Sequence, residues 1–344
     1  MHAPLFIVGA NRSGTTLLRL ILNAHSDVAI PDEINYFYSF RGGAGYPRWR
    51  NPKLTPEQYE AFVDDFLQTN QPATPGLDLT ALRTEILAGP PDLRRPYQFL
   101  LEAWARHHGK SRWGEKTPGN LFYAHHILSM FPDALFVHLV RDPRAVVHSM
   151  QRVSFFPDDV VLNALNLRKS LADGQVHLAK SVPAAQRITV RYEDLVHDPV
   201  PTVQRICSFA GLDYEPGMLA FHEDAAQYMT EAASTSFNTT ATRPISKDRT
   251  DAWSDALTAA EVAVIERITR VPMAAYGYPP QADRVSPCRW TELALKYTYW
   301  RYHHWRNRHI PQYVVRHAVF EGLRHRTRRW TSHVRRRLRT VLPL

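Results

Sequence analysis

The sequence predicts an α/β fold of the phosphate-loop NTPase type, in which a mostly parallel sheet lies between two layers of helices. The chain begins with a short apolar segment (residues 4–9), a glycine-containing loop (10–14) and an apolar helical pattern (15–22). Two later strands are predicted, the apolar segment 134–140 and residues 187–192, and each is followed by a helical pattern. Strands that alternate with helices are typical of a parallel sheet covered on both faces.

The remaining elements follow from local patterns in chain order. A short second strand is predicted over residues 28–31, where a proline ends it, and the polar residues 113–118 are predicted to form a turn. Thr55 and Glu57 are typical of the start of a capped helix. Helices are predicted over residues 55–68, 79–87, 97–107, 120–130, 144–152, 158–180, 193–211 and 258–270, and a long polar loop over 231–253.

Charge divides the chain into two parts. The 344 residues carry a formal net charge of +9. Residues 284–344 hold 15 Lys and Arg against 2 Asp and Glu, whereas the rest of the chain holds 27 against 31. We therefore predict a mildly acidic globular domain over residues 1–283 and a basic, aromatic-rich helical extension over 284–344.

Composition also argues against several kinds of site and location. Cys207 and Cys288 have no spacing typical of a metal site or a disulfide framework. The sequence has no run of about 18 apolar residues that could span a membrane, and no signal-peptide pattern precedes the first strand. The prediction is a cytoplasmic protein without a metal site.

The loop after the first strand has the spacing of a phosphate-binding loop. Gly9 and Gly14 are separated by four residues, and a strand, a tight loop and a helix N-terminus together form an anion site. Thr15 stands where nucleoside triphosphatases have the lysine that reaches the β- and γ-phosphates. The site therefore suits a single 5′-phosphate, held by backbone amides and the hydroxyls of Thr15 and Thr16, with Arg12 restoring one charge.

A second anion site is predicted after the strand that ends at Val140. Arg141 lies at the strand exit, and Ser149 follows eight residues later, about two helical turns on. Arginine offers forked donors to phosphate oxygens, and serine adds a hydroxyl. The structural alternative is an arginine that caps the sheet edge and a serine that faces solvent.

These motifs resemble those of sulfotransferases that use 3′-phosphoadenosine 5′-phosphosulfate (PAPS). Residues 9–18 resemble the family's 5′-phosphosulfate loop, and residues 139–149 resemble its 3′-phosphate motif. The tyrosylprotein sulfotransferases and related bacterial enzymes are the branch most similar to this chain. The resemblance extends from about residue 4 to 253.

The resemblance implies roles for individual residues. Glu33 corresponds to the general base, with Asp32 as the second candidate. Lys116 corresponds to the lysine at the bridging oxygen of the sulfuryl group, and Arg12 steadies the transferring group. The resemblance places PAPS binding on Asn11, Arg12, Ser13, Gly14, Thr15, Thr16, Arg141, Ser149, Tyr192, Ser236, Lys247 and Arg249.

Departures from the family pattern bear on the acceptor and the donor site. Asn35 stands where the tyrosine-sulfating branch has an arginine, so a glycan, glycolipid or other small alcohol or phenol is favoured over a tyrosyl peptide. Ala252 replaces a lysine, which leaves that role to Lys247 or Arg249. Val153 likewise replaces an arginine of the 3′-phosphate site, next to Arg152.

Two other functions remain open from the sequence. One is a phosphate-loop nucleotide kinase with a degenerate loop, against which the missing lysine at Thr15 argues. The other is an inactive protein that binds a nucleotide or docks on a membrane.

The basic extension is not explained by the resemblance. Aromatic residues with interleaved basic residues over 290–305, and an arginine-rich run over 324–339, suit an anionic membrane surface. Peripheral association of residues 290–344 with the inner face of a membrane is therefore one prediction. The alternative is a helix that packs on the domain with a solvated basic face. Nucleic acid is not expected as a partner, and the oligomeric state is left open.

Overall fold

Parallel strands form the centre of the fold. The computed structural model describes residues 3–34, 36–37, 54–154, 156–229, 242–282 and 294–302. Within these residues the strands pair in the order β2-β3-β1-β4-β5, and every pairing is parallel. The strands are β1 (Leu5–Gly9), β2 (Val28–Ala29), β3 (Arg112–Lys116), β4 (Leu135–Val140) and β5 (Arg187–Arg191).

Helices connect the strands and cover the sheet. They are α1 (Thr15–Asn23), α2 (Pro56–Asn70), α3 (Leu79–Leu87), α4 (Arg94–His107), α5 (Ala124–Met130), α6 (Pro143–Gln151), α7 (Val160–Ser181), α8 (Tyr192–His197), α9 (Pro199–Ala210), α10 (Trp253–Ala256) and α11 (Ala259–Ala275). Residues 294–302 form a further helical segment.

Side-chain alternation along β1 sends apolar residues to both faces of the sheet. Phe6 and Val8 pack with the aromatic side chains of α2 and α4. Leu5 and Ile7 point the other way and pack with α1 and α9. Because successive side chains of a strand point to opposite faces, a strand that is apolar throughout is covered by helices on both sides. The three-layer α/β fold predicted from the sequence is confirmed.

Two local predictions are wrong. Residues 113–118 do not form a polar turn, because 112–116 are strand β3, which lies between β2 and β1. Its Glu115 and Lys116 are fully buried, so their polarity concealed the strand. The single helix predicted over 193–211 is two helices, α8 and α9, and Pro199 begins the second. A proline favours the first turn of a helix because it lacks the N–H that an interior position would require.

A buried charge network holds the N-terminus of α6. Asp142 caps α6 and accepts from the Arg144 guanidinium, with a shortest distance of 2.6 Å. The same guanidinium donates to Glu266 of α11 at 2.8 Å and lies 4.2 Å from the centroid of the Trp253 ring. Each buried charge in this network has an opposite partner. The network therefore fixes the start of α6, whose N-cap, Asp142, directly follows Arg141.

The helical segment 294–302, which begins the described part of the extension, packs on α7. Trp300 donates from its indole Nε1 to Asn166 Oδ1 at 3.1 Å and contacts the cluster that includes Val161 and Leu165. Lys296 pairs with Asp159 at 2.6 Å. Residues 303–344 lie outside the described part of the chain, and among the described residues no helix is long and apolar enough to cross a bilayer. The domain boundary at residue 283 stays a prediction.

Candidate active site

The loop between β1 and α1 has a backbone shaped for close approach. Arg12 and Gly14 both have positive φ, 71° and 98°. Ser13 donates to the Ala10 carbonyl oxygen from its amide at 3.2 Å and from its hydroxyl at 2.6 Å. The amide and the hydroxyl of Ser13 therefore both form hydrogen bonds within the loop and stabilise its conformation. The first amides of α1, from Thr15 onward, have no partner within the helix and are available to an anion.

Tyr192 joins this loop to the second predicted anion site. A side chain at position 14 would overlap the Tyr192 ring, which lies directly against Gly14. The Arg141 guanidinium also lies over the Tyr192 ring, 4.2 Å from its centroid. Glycine at 14 thus serves both the left-handed conformation and the contact with Tyr192.

The side chains of the two predicted anion sites meet. Arg12 donates from Nε to Ser149 Oγ at 3.1 Å, and Arg141 donates to the Arg12 carbonyl oxygen at 3.2 Å. Arg141 also donates to the Arg249 carbonyl oxygen at 2.7 Å. Its Nε is buried and has no hydrogen-bond partner among the described residues. This arrangement favours an anion site over the alternative of a sheet-capping arginine and a solvent-facing serine.

Like charges are concentrated around Arg141. Burial, together with the charges of Arg141 and Arg249, lowers the pKa of Arg12 to about 10. The pKa of Arg249 is lowered as well, mainly by burial and further by repulsion from Arg152, Arg141 and Arg243. Cations held this closely repel one another unless an anion lies among them. An unpaired Nε and mutually repelling guanidiniums are what a phosphate group would complement.

The predicted base and the predicted lysine form an ion pair. Lys116 Nζ lies 2.6 Å from Glu33 Oε1 and 3.8 Å from Asp32 Oδ1. Lys116 is 1% exposed, whereas the Glu33 side chain is 40% exposed. Lys116 is the last residue of β3, and β3 and β1 are adjacent, so the pair lies at the same sheet edge as the loop. The carboxyl ends of parallel strands are where ligands bind in open α/β sheets.

Glu115 is buried beside this pair. It accepts from the Thr117 hydroxyl and the Asn120 side-chain amide, and no salt bridge joins it to a cation among the described residues. Burial raises its pKa to about 7, although both hydrogen bonds and the Lys116 charge oppose that shift.

The remaining predicted site residues lie in different surroundings, some at the arginine cluster and others away from it. Arg249, one of the two candidates for the missing lysine, contacts Arg141, while Lys247 is exposed in the same short helical turn. Val153 is buried in the core of α6 and α7, and the neighbouring Arg152 is exposed. Ser236 and Asn35 lie outside the described residues, and Asn11, Thr15 and Thr16 lie in the loop and the first turn of α1.

Sequence reasoning missed Arg19 and Arg243. Arg19 is fully buried on α1 and lies 3.6 Å from Asp32. A single arginine inside the apolar run 17–22 is a detectable signal, because a buried charge needs a partner. Arg243, about 100 residues after Arg141 in the chain, lies close enough to Arg249 for its charge to lower the pKa of Arg249, and no local pattern indicates that proximity.

Together the fold and the candidate site define a phosphate-loop α/β protein that lacks the triphosphate lysine and carries a cluster of arginines around Arg141. The model of the Sulfotransferase family matches residues 4–216. The chain therefore belongs to the Sulfotransferase family and is a sulfotransferase. This membership decides against the nucleotide-kinase alternative.

Similar proteins include sulfotransferases with different acceptors. A protein-tyrosine sulfotransferase of Drosophila melanogaster is 27% identical over 228 residues, which cover 64% of this chain and 40% of that protein. The omega-hydroxy-beta-dihydromenaquinone-9 sulfotransferase of Mycobacterium tuberculosis is 30% identical over 136 residues, or 34% of each chain. The match thus spans less than half of the length of either relative.

A solved structure agrees with the fold. The sulfotransferase domain from the curacin biosynthetic pathway has a TM-score of 0.58 at 22% identity. The alignment covers 82% of this chain and 99% of that domain.

Proposed function

We propose that this sulfotransferase uses PAPS as donor and a small-molecule or glycan hydroxyl as acceptor. The observation that carries the donor assignment is the pair of anion sites joined through Tyr192. The loop and α1 suit the 5′-phosphosulfate, and Arg141 with Ser149 suits the 3′-phosphate. PAPS carries these two phosphates on opposite sides of one ribose, whereas ATP carries its phosphates in one chain.

The chain's own residues divide the chemistry among them. PAPS, when bound, supplies an activated sulfuryl group with a phosphate as leaving group. Glu33 takes the proton of the acceptor hydroxyl as the oxygen forms its bond to sulfur. Lys116 and Arg12 face the charge that develops on the oxygen released when the old S–O bond breaks. Since arginine and lysine neutralise this charge, the proposal requires no metal.

The acceptor proposal starts from Asn35 and from the relatives. The Drosophila relative is named for protein tyrosine and the mycobacterial relative for an omega-hydroxylated dihydromenaquinone. This chain has Asn35 where the tyrosine-sulfating branch has the arginine with which it holds its acidic peptide. We therefore favour an uncharged alcohol, phenol or glycan, including a lipid-linked hydroxyl.

Nucleotide binding tests the donor assignment. We expect calorimetry to show tighter binding of adenosine 3′,5′-bisphosphate than of ATP with Mg²⁺, by at least about tenfold. Arg141→Ala should weaken the bisphosphate by roughly 10- to 100-fold, because a hydrogen bond to a charged group is worth about 1.5–3 kcal/mol. Arg83→Ala, a change to an exposed arginine that pairs with Glu60 and Asp64, is the control and should change nothing.

Transfer of radiolabelled sulfate from PAPS identifies the acceptor. The panel holds a tyrosyl peptide, simple phenols, sugars and a polyprenyl alcohol, followed by a total lipid extract. A preference for ATP with Mg²⁺, or labelling of the peptide alone, would contradict the donor or the acceptor proposal respectively.

The extension 290–344 is proposed to bind an anionic membrane surface. Its arginine-rich composition favours attraction to acidic headgroups, at about 1 kcal/mol for each basic residue near the surface. We expect the intact chain to sediment with vesicles that contain about 30% phosphatidylserine, and not with neutral vesicles. Deletion of residues 303–344, which leaves the packed segment 294–302 in place, should abolish sedimentation. Equal sedimentation of both chains would contradict the proposal.

A further inference from the structure

Four charged side chains lie together between α1 and the end of β3. Arg19 and Lys116 are the cations, each no more than 1% exposed. Asp32 and Glu33 are the anions, with side chains 15% and 40% exposed. Two buried cations therefore face two carboxylates of unequal burial, and the formal charges balance. Balance of this kind matters because an unpaired buried charge is strongly destabilising.

Asp32 is shared by the two cations. Its Oδ1 lies 3.6 Å from Arg19 NH2 and 3.8 Å from Lys116 Nζ, and it accepts from the Glu33 amide at 3.2 Å. Arg19 is itself held in place, because NH1 donates to the Tyr228 carbonyl oxygen at 2.7 Å. Its NH2 makes no hydrogen bond among the described residues, so its attraction to Asp32 is electrostatic. Arg19 thus places a second buried cation beside Asp32.

Proton transfer during the reaction removes the charge of Glu33. When Glu33 takes the proton of the acceptor hydroxyl on either carboxylate oxygen, it becomes neutral, and Lys116, whose Nζ lies 2.6 Å from Oε1, loses its closest counter-charge. Lys116 then turns to the oxygen that leaves sulfur. A buried ammonium without a counter-charge is strongly unfavourable unless a second carboxylate remains nearby.

We infer that Asp32, held by Arg19, is a positioning residue that keeps Lys116 neutralised while Lys116 moves from Glu33 to the leaving oxygen. This inference rests on the proposed function. Asp32 acts through Lys116 and touches neither donor nor acceptor. Asp32 is less exposed than Glu33 and lies near Arg19 as well as Lys116. These differences explain why two adjacent carboxylates have different roles at one site.

A double-mutant cycle tests the inference. With PAPS and the best acceptor of the panel, Asp32→Asn should lower kcat by about 30-fold in the wild-type background. In the Lys116→Met background the same change should lower kcat by less than about twofold, because residues that act through one another are not additive. Asp32→Glu should recover part of the loss. Affinity for adenosine 3′,5′-bisphosphate should stay within about threefold of wild type.

Stability measurements separate positioning from folding. The midpoint of urea unfolding should fall with Asp32→Asn in the wild-type background, where Arg19 and Lys116 both lose a counter-charge, and should fall less in the Lys116→Met background, where only Arg19 loses one. Asp64→Asn, at an exposed carboxylate that pairs with Arg83, is the control and should leave kcat unchanged.

The outcomes distinguish the two proposals. Equal loss of kcat in both backgrounds would overturn the role of Asp32, and would indicate either a structural role or that Asp32 is itself the base. Absence of any transfer from PAPS by the folded wild-type chain would instead overturn the proposed function.

Discussion

Replacing Glu33 by Gln should lower kcat by about 10³-fold, within the range of 10²- to 10⁴-fold that a general base contributes. The neutral amide keeps the size of the side chain but cannot accept the proton of the acceptor hydroxyl. Binding of adenosine 3′,5′-bisphosphate should stay within about threefold, because the arginine cluster around Arg141 is unchanged. Initial rates of radiolabel transfer and calorimetry measure the two quantities on the same preparation.

The control for this prediction is a carboxylate far from the sheet edge. Glu85 of α3 pairs with Arg106 on the surface and its side chain is 49% exposed, so Glu85→Gln should leave both quantities unchanged. Full activity in Glu33→Gln would show that Glu33 is not the base. In that case Asp32, the second candidate, would have to be examined as the proton acceptor rather than as a positioning residue.

The two segments that meet at the candidate site could be predicted from sequence because each depends on a local motif. The loop 10–14 and the step from Val140 to Arg141 are short, continuous segments whose geometry follows from a strand end and a helix start. Parallel strands bring such segments to one edge. The contact of Arg12 with Ser149, 137 positions apart, then follows from the fold.

The partners inside the site could not be predicted, because they depend on which buried polar groups meet in three dimensions. Strand β3 has no apolar pattern at its end, since Glu115 and Lys116 are buried through polar contacts. Arg19 bonds the Tyr228 carbonyl oxygen 209 positions away. Periodicity detects apolar burial and is silent about buried charges whose partners come from distant segments.

Glu115 has the environment of a carboxyl group that resists ionisation. Its side chain is fully buried, its partners Thr117 and Asn120 are neutral, and burial raises its pKa to about 7 from 4.5. The pKa is higher in the folded chain than in the unfolded chain, so folding is favoured by the proton. This stabilisation is fully present below about pH 4.5 and is lost as the pH rises through about 7.

Wild-type stability should therefore fall between pH 5 and pH 8 by roughly 2–3 kcal/mol more than that of Glu115→Gln. The amide is neutral at both pH values, so it has no charging cost, and the titration of other groups cancels in the comparison. Urea unfolding of both chains at the two pH values measures the difference, and Glu85→Gln should follow the wild type.

An equal pH dependence of wild type and Glu115→Gln would mean that Glu115 is already ionised at pH 5 in the folded chain. The charge of Lys116 would then compensate the burial of Glu115 more strongly than its pKa indicates. In that case three carboxylates, those of Asp32, Glu33 and Glu115, would share Lys116, and Glu115 would stabilise its charge together with Asp32. The pH dependence of stability thus tests how the charge beside the proposed base is balanced before any substrate binds.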